Sequence, residues 1–199
     1  MAKLVAIVGE SGSGKSTSIK HLDPKETYII NTASKELPFK GSQKLYNAEN
    51  KNYYVPNTAS DVLARIKLIS EKAPHIKQIV IEDSNYLMSF NLINKALETG
   101  FTKFSIMARD IVSLIQDSKK LRDDLIIYYF THSESINDGE DITIVIYTLV
   151  ECKNDECKHY FITNRYDKLP AKTPFEMFNS LKIDNNLQIV TDTIREYYN

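Results

Sequence analysis

Short apolar runs alternate with stretches of helical spacing along most of the chain. LVAIV (residues 4–8), TYIIN (27–31), QIVIED (78–83) and LIIYYFTH (125–132) are rich in β-branched and aromatic residues. Such compact runs predict strands buried on both faces. Residues 16–22 after the first run predict a helix start. Val62, Leu63, Ile66 and Ile69 share one face of a helix predicted over 60–72, which Pro74 ends. A helix follows from about Leu87 to Leu97, with Gly100 past its end. Another is predicted from about Lys103 to Leu121, with Phe104, Ala108, Ile111, Leu114, Ile115 and Leu121 on one stripe. DITIVIYTLV (141–150) and HYFITNRY (159–166) predict two more strands across the polar turn CKNDECK, close enough for an antiparallel hairpin. Leu187, Val190, Ile194 and Tyr197 predict a last helix from about Asn186 to Tyr198. Residues 32–57 show no period and read as a long irregular segment punctuated by Pro38, Gly41 and Pro56. Strands alternating with helices predict an α/β fold: a mainly parallel sheet, helices on both faces and a C-terminal β-hairpin.

Composition narrows this picture. A chain of 199 residues suits a single domain over 1–199, and 42% hydrophobic with 26% charged residues is ordinary for a globular protein. The net charge of −1 gives no global basic field, so any nucleic-acid contact must come from a local patch. No apolar run approaches the roughly 18 residues of a membrane helix. The first strand begins almost at Met1, so no signal or transit peptide is expected. Two cysteines, Cys152 and Cys157, are too few for a disulfide framework, and a reducing cytoplasm is the expected setting.

The chemistry begins at residues 9–17, GESGSGKST, which match G-x-x-x-x-G-K-[ST] at every position. A strand precedes the motif and a helix start follows it, the context of a phosphate cradle. Gly12 and Gly14 let the backbone curl so that successive N–H groups face an anion. The binding residues are therefore Gly9, Glu10, Ser11, Gly12, Ser13, Gly14, Lys15, Ser16 and Thr17. Lys15 reaches β- and γ-phosphates, and the Ser16 hydroxyl is a Mg²⁺ ligand.

Hydrolysis needs a carboxylate on the metal side and a group that orients water. QIVIEDS supplies Glu82 and Asp83 at the carboxyl end of a strand, where open α/β sheets bind ligands. Asp83 is the expected metal-side acid. Glu82 points to the other face and is the other candidate to activate water, with Glu36 next. Thr131 and His132 end another strand, and His132 is placed to donate to a phosphate oxygen. Cys152, Cys157 and His159 form a poor zinc pattern, C-x4-C-x-H, with no fourth ligand evident. Lys35, Lys40, Lys44 and Lys51 are interleaved with Phe39, Tyr46, Tyr53 and Tyr54, a mixture suited to single-stranded nucleic acid or to a solvated loop whose rings pack inward. Arg165, Lys168 and Lys172 are candidate cations for a neighbour's nucleotide site.

On GESGSGKS (9–16), IVIEDS (79–84) and YYFTHSE (128–134), the chain resembles the RecA-like P-loop ATPases, in particular small phage-encoded members linked to recombination and single-strand annealing. LPAKTPFEMF (169–178) is similar to the closing segment of those phage proteins. The resemblance implies a RecA-like P-loop fold, ATP and Mg²⁺ as cofactors, and ATP hydrolysis by Lys15, Glu82, Asp83 and His132, with Ser16 and Asp83 on the metal. It also implies self-association, single-stranded DNA and a single-strand-binding protein as partners, no membrane, and a host cytoplasm. The chain departs from the family in lacking a glutamate just after TYIIN and in the acidic stretch SESINDGED (133–141) that follows the sensor strand. Two rivals share the P-loop. A GTPase is suggested by Asn164 and Asp167 in TNRYDK, but Tyr86 stands where a GTPase needs glycine. A small-molecule or nucleotide kinase would carry an arginine-rich lid, and the chain has no arginine cluster.

Overall fold

The computed structural model describes residues 1–87, 102–132 and 142–199. The helix expected after Leu87, Gly100 and the acidic stretch 133–141 lie outside the described residues, as do the side chains of Phe104 and Ala108. The elements in chain order are β1 (Lys3–Val8), a 3₁₀ helix (Ser16–His21), β2 (Thr27–Asn31), α1 (Ser42–Leu45), β3 (Tyr53–Tyr54), α2 (Ala59–Lys72) and β4 (Gln78–Glu82). They continue with α3 (Thr102–Lys119), β5 (Ile126–Thr131), β6 (Ile144–Lys153), β7 (Glu156–Ile162), β8 (Lys182–Asp184) and α4 (Leu187–Tyr198).

One sheet runs β3-β2-β4-β5-β1-β6-β7-β8. It is parallel from β3 through β6, and antiparallel where β6 meets β7 and β7 meets β8. The strand alternation sorts side chains onto two faces. Leu4, Ala6, Val8, Ile79, Ile81, Ile127 and Tyr129 face α2 and α3, which contribute Val62, Ile66, Ile69 and Leu114. Val5, Ile7, Val80, Tyr128 and Phe130 face the 3₁₀ helix and α4, which contribute Ile19, Leu187, Val190 and Ile194. Each buried aliphatic side chain contributes about 1.5–3 kcal/mol, so both layers are needed to hold the sheet. Two buried tyrosines are satisfied rather than orphaned: Tyr128 pairs with Thr191 at 2.8 Å, and Tyr129 donates to Ser118 at 3.0 Å. The α2 start is capped, with Thr58 Oγ1 accepting from the Asp61 amide at 3.1 Å.

Several elements differ from the sequence expectation. The helix after the P-loop is a six-residue 3₁₀ helix ending at His21. The segment 32–57 contains α1 and β3, and β8 has no period because it spans three residues. The hairpin turn is only Asn154–Asp155, at φ 50° and 65°, so both strands extend into what reads as turn. That shift corrects the cysteine reading. Cys152 and Cys157 stand opposite each other in the ladder, with Cα atoms 4.0 Å apart, and are joined as a disulfide. Opposed residues of an antiparallel pair bring their Cβ atoms within bridging reach.

Candidate functional site

Residues 9–17 leave β1 and curl at Gly12 (φ 76°) and Gly14 (φ 97°) before entering the 3₁₀ helix. Both angles lie where side chains are strained, so glycine is required there. Lys15 folds back into the loop. Its Nζ donates to the Gly9 carbonyl at 2.6 Å and the Glu10 carbonyl at 2.9 Å. Burial lowers its pKa, against the opposing pull of Asp83, Glu82 and Glu10.

β4 and β5 lie side by side and end beside this loop. The Ser16 hydroxyl donates to Glu82 Oε1. Glu82 is 5% exposed, and its carboxyl is pushed up to about 7, mainly by burial. Asp83 leaves the strand in a left-handed turn (φ 53°) and faces Lys35 Nζ at 3.6 Å and His132 Nε2 at 3.9 Å. The structure thus sets Glu82, rather than the expected Asp83, against the P-loop serine. The reason is the turn: strand parity carries Glu82 toward β1's loop, and the left-handed Asp83 swings its carboxylate outward. Thr32, one residue past β2, holds this corner, donating to Glu82 O at 2.8 Å and Asp83 O at 2.6 Å. Ser84 fixes the far side, its amide donating to Phe130 O at 2.7 Å.

These groups line a cleft of about 370 Å³ with Ser11 to Thr17, Lys35, Glu36, Glu82, Asp83, His132 and His159. Of the candidate catalytic and binding residues, Lys15, Ser16, Glu82, Asp83 and His132 all converge there, and Glu36 is present on the wall. Glu36 bonds to Gln43 Nε2 at 2.7 Å. Asn164 and Asp167, the guanine-reading pair, do not line the cleft. The residues fit a nucleotide with Mg²⁺: Glu82 Oε2 is buried without a hydrogen-bond partner among the described residues, beside the serine that would share the ion.

Two supports were not legible beforehand. The Thr148 hydroxyl of β6 lies 3.2 Å from Val8 O, which accepts from it, and 2.5 Å from the Ser13 hydroxyl. His159 of β7 lies 3.0 Å from Ser13 O through Nδ1. The sequence shows neither, because 135 and 146 residues separate the partners. His159 is on the loop, and the cysteines are bonded to each other, so C-x4-C-x-H is not gathered as a zinc site. The loop is packed so closely that a Cβ on Gly9 would lie 1.8 Å from Thr148 Oγ1. Gly9→Ala is expected to displace the loop, weaken nucleotide binding and lower stability by about 1–3 kcal/mol. Calorimetric binding and denaturation midpoints check this; wild-type values in both would show that β6 yields.

The rings of 35–54 pack inward. Tyr46 is 4% exposed and meets Phe39 edge-on, at 6.4 Å between centroids. Tyr53 Oη accepts from Asn31 Nδ2 at 2.8 Å, and Arg65 stacks over Tyr54 at 4.1 Å. Lys35, Lys40, Lys44 and Lys51 are exposed. Arg165, Lys168 and Lys172 are exposed around the segment after β7. Among the described residues, no helix is long and apolar enough to cross a membrane.

No family model matches the chain, and no curated protein matches it in sequence. Among solved structures, it is similar to a KaiC-like protein from the hyperthermophilic archaeon Pyrococcus horikoshii OT3. The TM-score is 0.53 at 14% identity, over 91% of this chain and 88% of that one. At that identity the likeness is one of fold alone, an α/β arrangement around a mainly parallel sheet.

Proposed function

We propose that this chain is a Mg²⁺-dependent ATPase of RecA-like type. The observation that carries the reading is the Glu82 carboxylate set against the Ser16 hydroxyl, with Lys15, Asp83 and His132 around one cleft. Lys15 neutralises β- and γ-phosphate oxygens, and the amides of 12–16 hold the remainder. Ser16 and Glu82 would hold Mg²⁺, which leaves Asp83 as the candidate to act on water. When bound there, Mg²⁺ would supply charge neutralisation of the phosphates. Asp83 accepts a proton from an attacking water, kept in place by Lys35 and the Thr32 clamp. His132 donates to the γ-phosphate from the end of β5.

The reading extends to self-association and to single-stranded DNA, in phage recombination or annealing, with a single-strand-binding protein as a further partner. The RecA-like fold and the exposed lysines of 35–54 support it. Because the rings there are engaged, contact would run through lysine and phosphate rather than base stacking, and it would fall steeply with salt. Arg165, Lys168 or Lys172 would serve a neighbour's γ-phosphate.

Phosphate release with ATP and with GTP, each with and without Mg²⁺ and single-stranded DNA, tests the whole reading. ATP turnover that requires Mg²⁺ and rises with DNA is expected. A preference for GTP, or phosphate transfer to a small acceptor with no release, would replace it with the GTPase or the kinase.

A further inference from the structure

The cleft has two unlike ends. β4 and β5 bring Glu82, Asp83 and His132 to one side of β1, and β7 brings His159 to it from beyond β6 on the other side. If Lys15 and Ser16 hold the β- and γ-phosphates beside the acids, the rest of an extended nucleotide points toward the hairpin. The His159 ring is exposed there and rests on the loop: a Cβ on Gly14 would lie 2.9 Å from Nδ1. The ring's tautomer follows from its partner. Nδ1 is 3.0 Å from the Ser13 carbonyl, which can only accept, so Nδ1 carries a proton. In the neutral ring Nε2 then presents a lone pair. Asn185, from the turn before α4, closes the same corner, and its Nδ2 is buried without a hydrogen-bond partner among the described residues.

The geometry points to His159 as a nucleoside-reading residue: held by Ser13 on one nitrogen, it offers the other as an acceptor to a hydrogen-bond donor of the nucleoside. That donor is the 6-amino group of adenine or the ribose 2′-hydroxyl. The inference rests on the nucleotide-binding reading of the P-loop, and it assigns to the hairpin a share in choosing the nucleotide.

His159→Asn separates the two nitrogens. Asparagine keeps an N–H near the Nδ1 position, so the Ser13 contact can persist, and it removes Nε2. Calorimetry with the full chain and Mg²⁺ compares ATP with inorganic tripolyphosphate, which has no nucleoside. His159→Asn should bind ATP about five- to tenfold more weakly, the loss of one hydrogen bond, and tripolyphosphate as well as wild type does. In wild type, either inosine triphosphate or 2′-deoxy-ATP should bind as weakly as ATP binds to the variant, which identifies the donor. That analogue should lose nothing further in His159→Asn. Equal weakening of ATP and tripolyphosphate would reduce the ring to a support for the loop and overturn the inference. So would unchanged ATP binding in the variant, or wild-type binding that ignores both analogues. Wild-type protein that binds neither ATP nor tripolyphosphate would instead remove the nucleotide-binding reading beneath it.

Discussion

Lys15→Ala is expected to lose ATP hydrolysis by roughly 30- to 1000-fold, about 2–4 kcal/mol of transition-state stabilisation. The side chain is a long cation buried in the loop, satisfied by the Gly9 and Glu10 carbonyls. It can exchange those carbonyls for phosphate oxygens, whose negative charge grows toward the transition state. Alanine removes the charge and leaves the loop glycines where they are, so the fold should persist. Phosphate release at saturating ATP, beside a denaturation curve, separates the two effects. Wild-type turnover in this variant would show that the loop is not the phosphate grip.

Glu82→Gln should combine lost activity with gained stability. The amide still meets Ser16, but it cannot offer negative charge to a hydrated cation, and hydrolysis should fall about 100-fold or more. Asp83→Asn should bind ATP normally and hydrolyse it slowly if Asp83 takes the water proton. Stability moves the other way, because the Glu82 carboxyl is raised from 4.5 to about 7 by burial. Below pH 4.5 the group is protonated in both states and contributes nothing. Between pH 4.5 and 7 the unfolded chain releases the proton while the folded chain keeps it, so stability falls as pH rises. Above pH 7 the full cost stands, on the order of 3 kcal/mol. In EDTA, Glu82→Gln should therefore resist denaturant better than wild type at pH 8 and equally at pH 4. A variant less stable at pH 8 would contradict the burial cost, and one with wild-type turnover would place the metal-side acid elsewhere.

The same pair of acids shows how far residue patterns reach. QIVIED locates two carboxylates at the end of a buried strand, which is enough to mark a candidate site. Which of them faces Ser16 depends on the register of β4 against β2 and β5, on the Thr32 clamp and on the left-handed turn at Asp83. The lysine–aromatic run is another instance. Its composition does not say whether the rings are free to stack on bases, and only the packing of Tyr46 beside Phe39 and of Tyr53 against Asn31 shows that they are engaged.

What the chain alone determined was local. The loop is built from the backbone of nine consecutive residues after one strand, so GESGSGKST carries its own geometry. The buried strands announced themselves because both faces need apolar residues, and the amphipathic helices because one face does. What tertiary structure decided was every relation between distant segments. Thr148 and His159 reach Ser13 because β6 pairs with β1 and β7 with β6. Cys152 meets Cys157 because a two-residue turn sets the hairpin register. Hydrogen bonds act over about 3 Å and carry no trace in sequence spacing once a sheet brings their partners together.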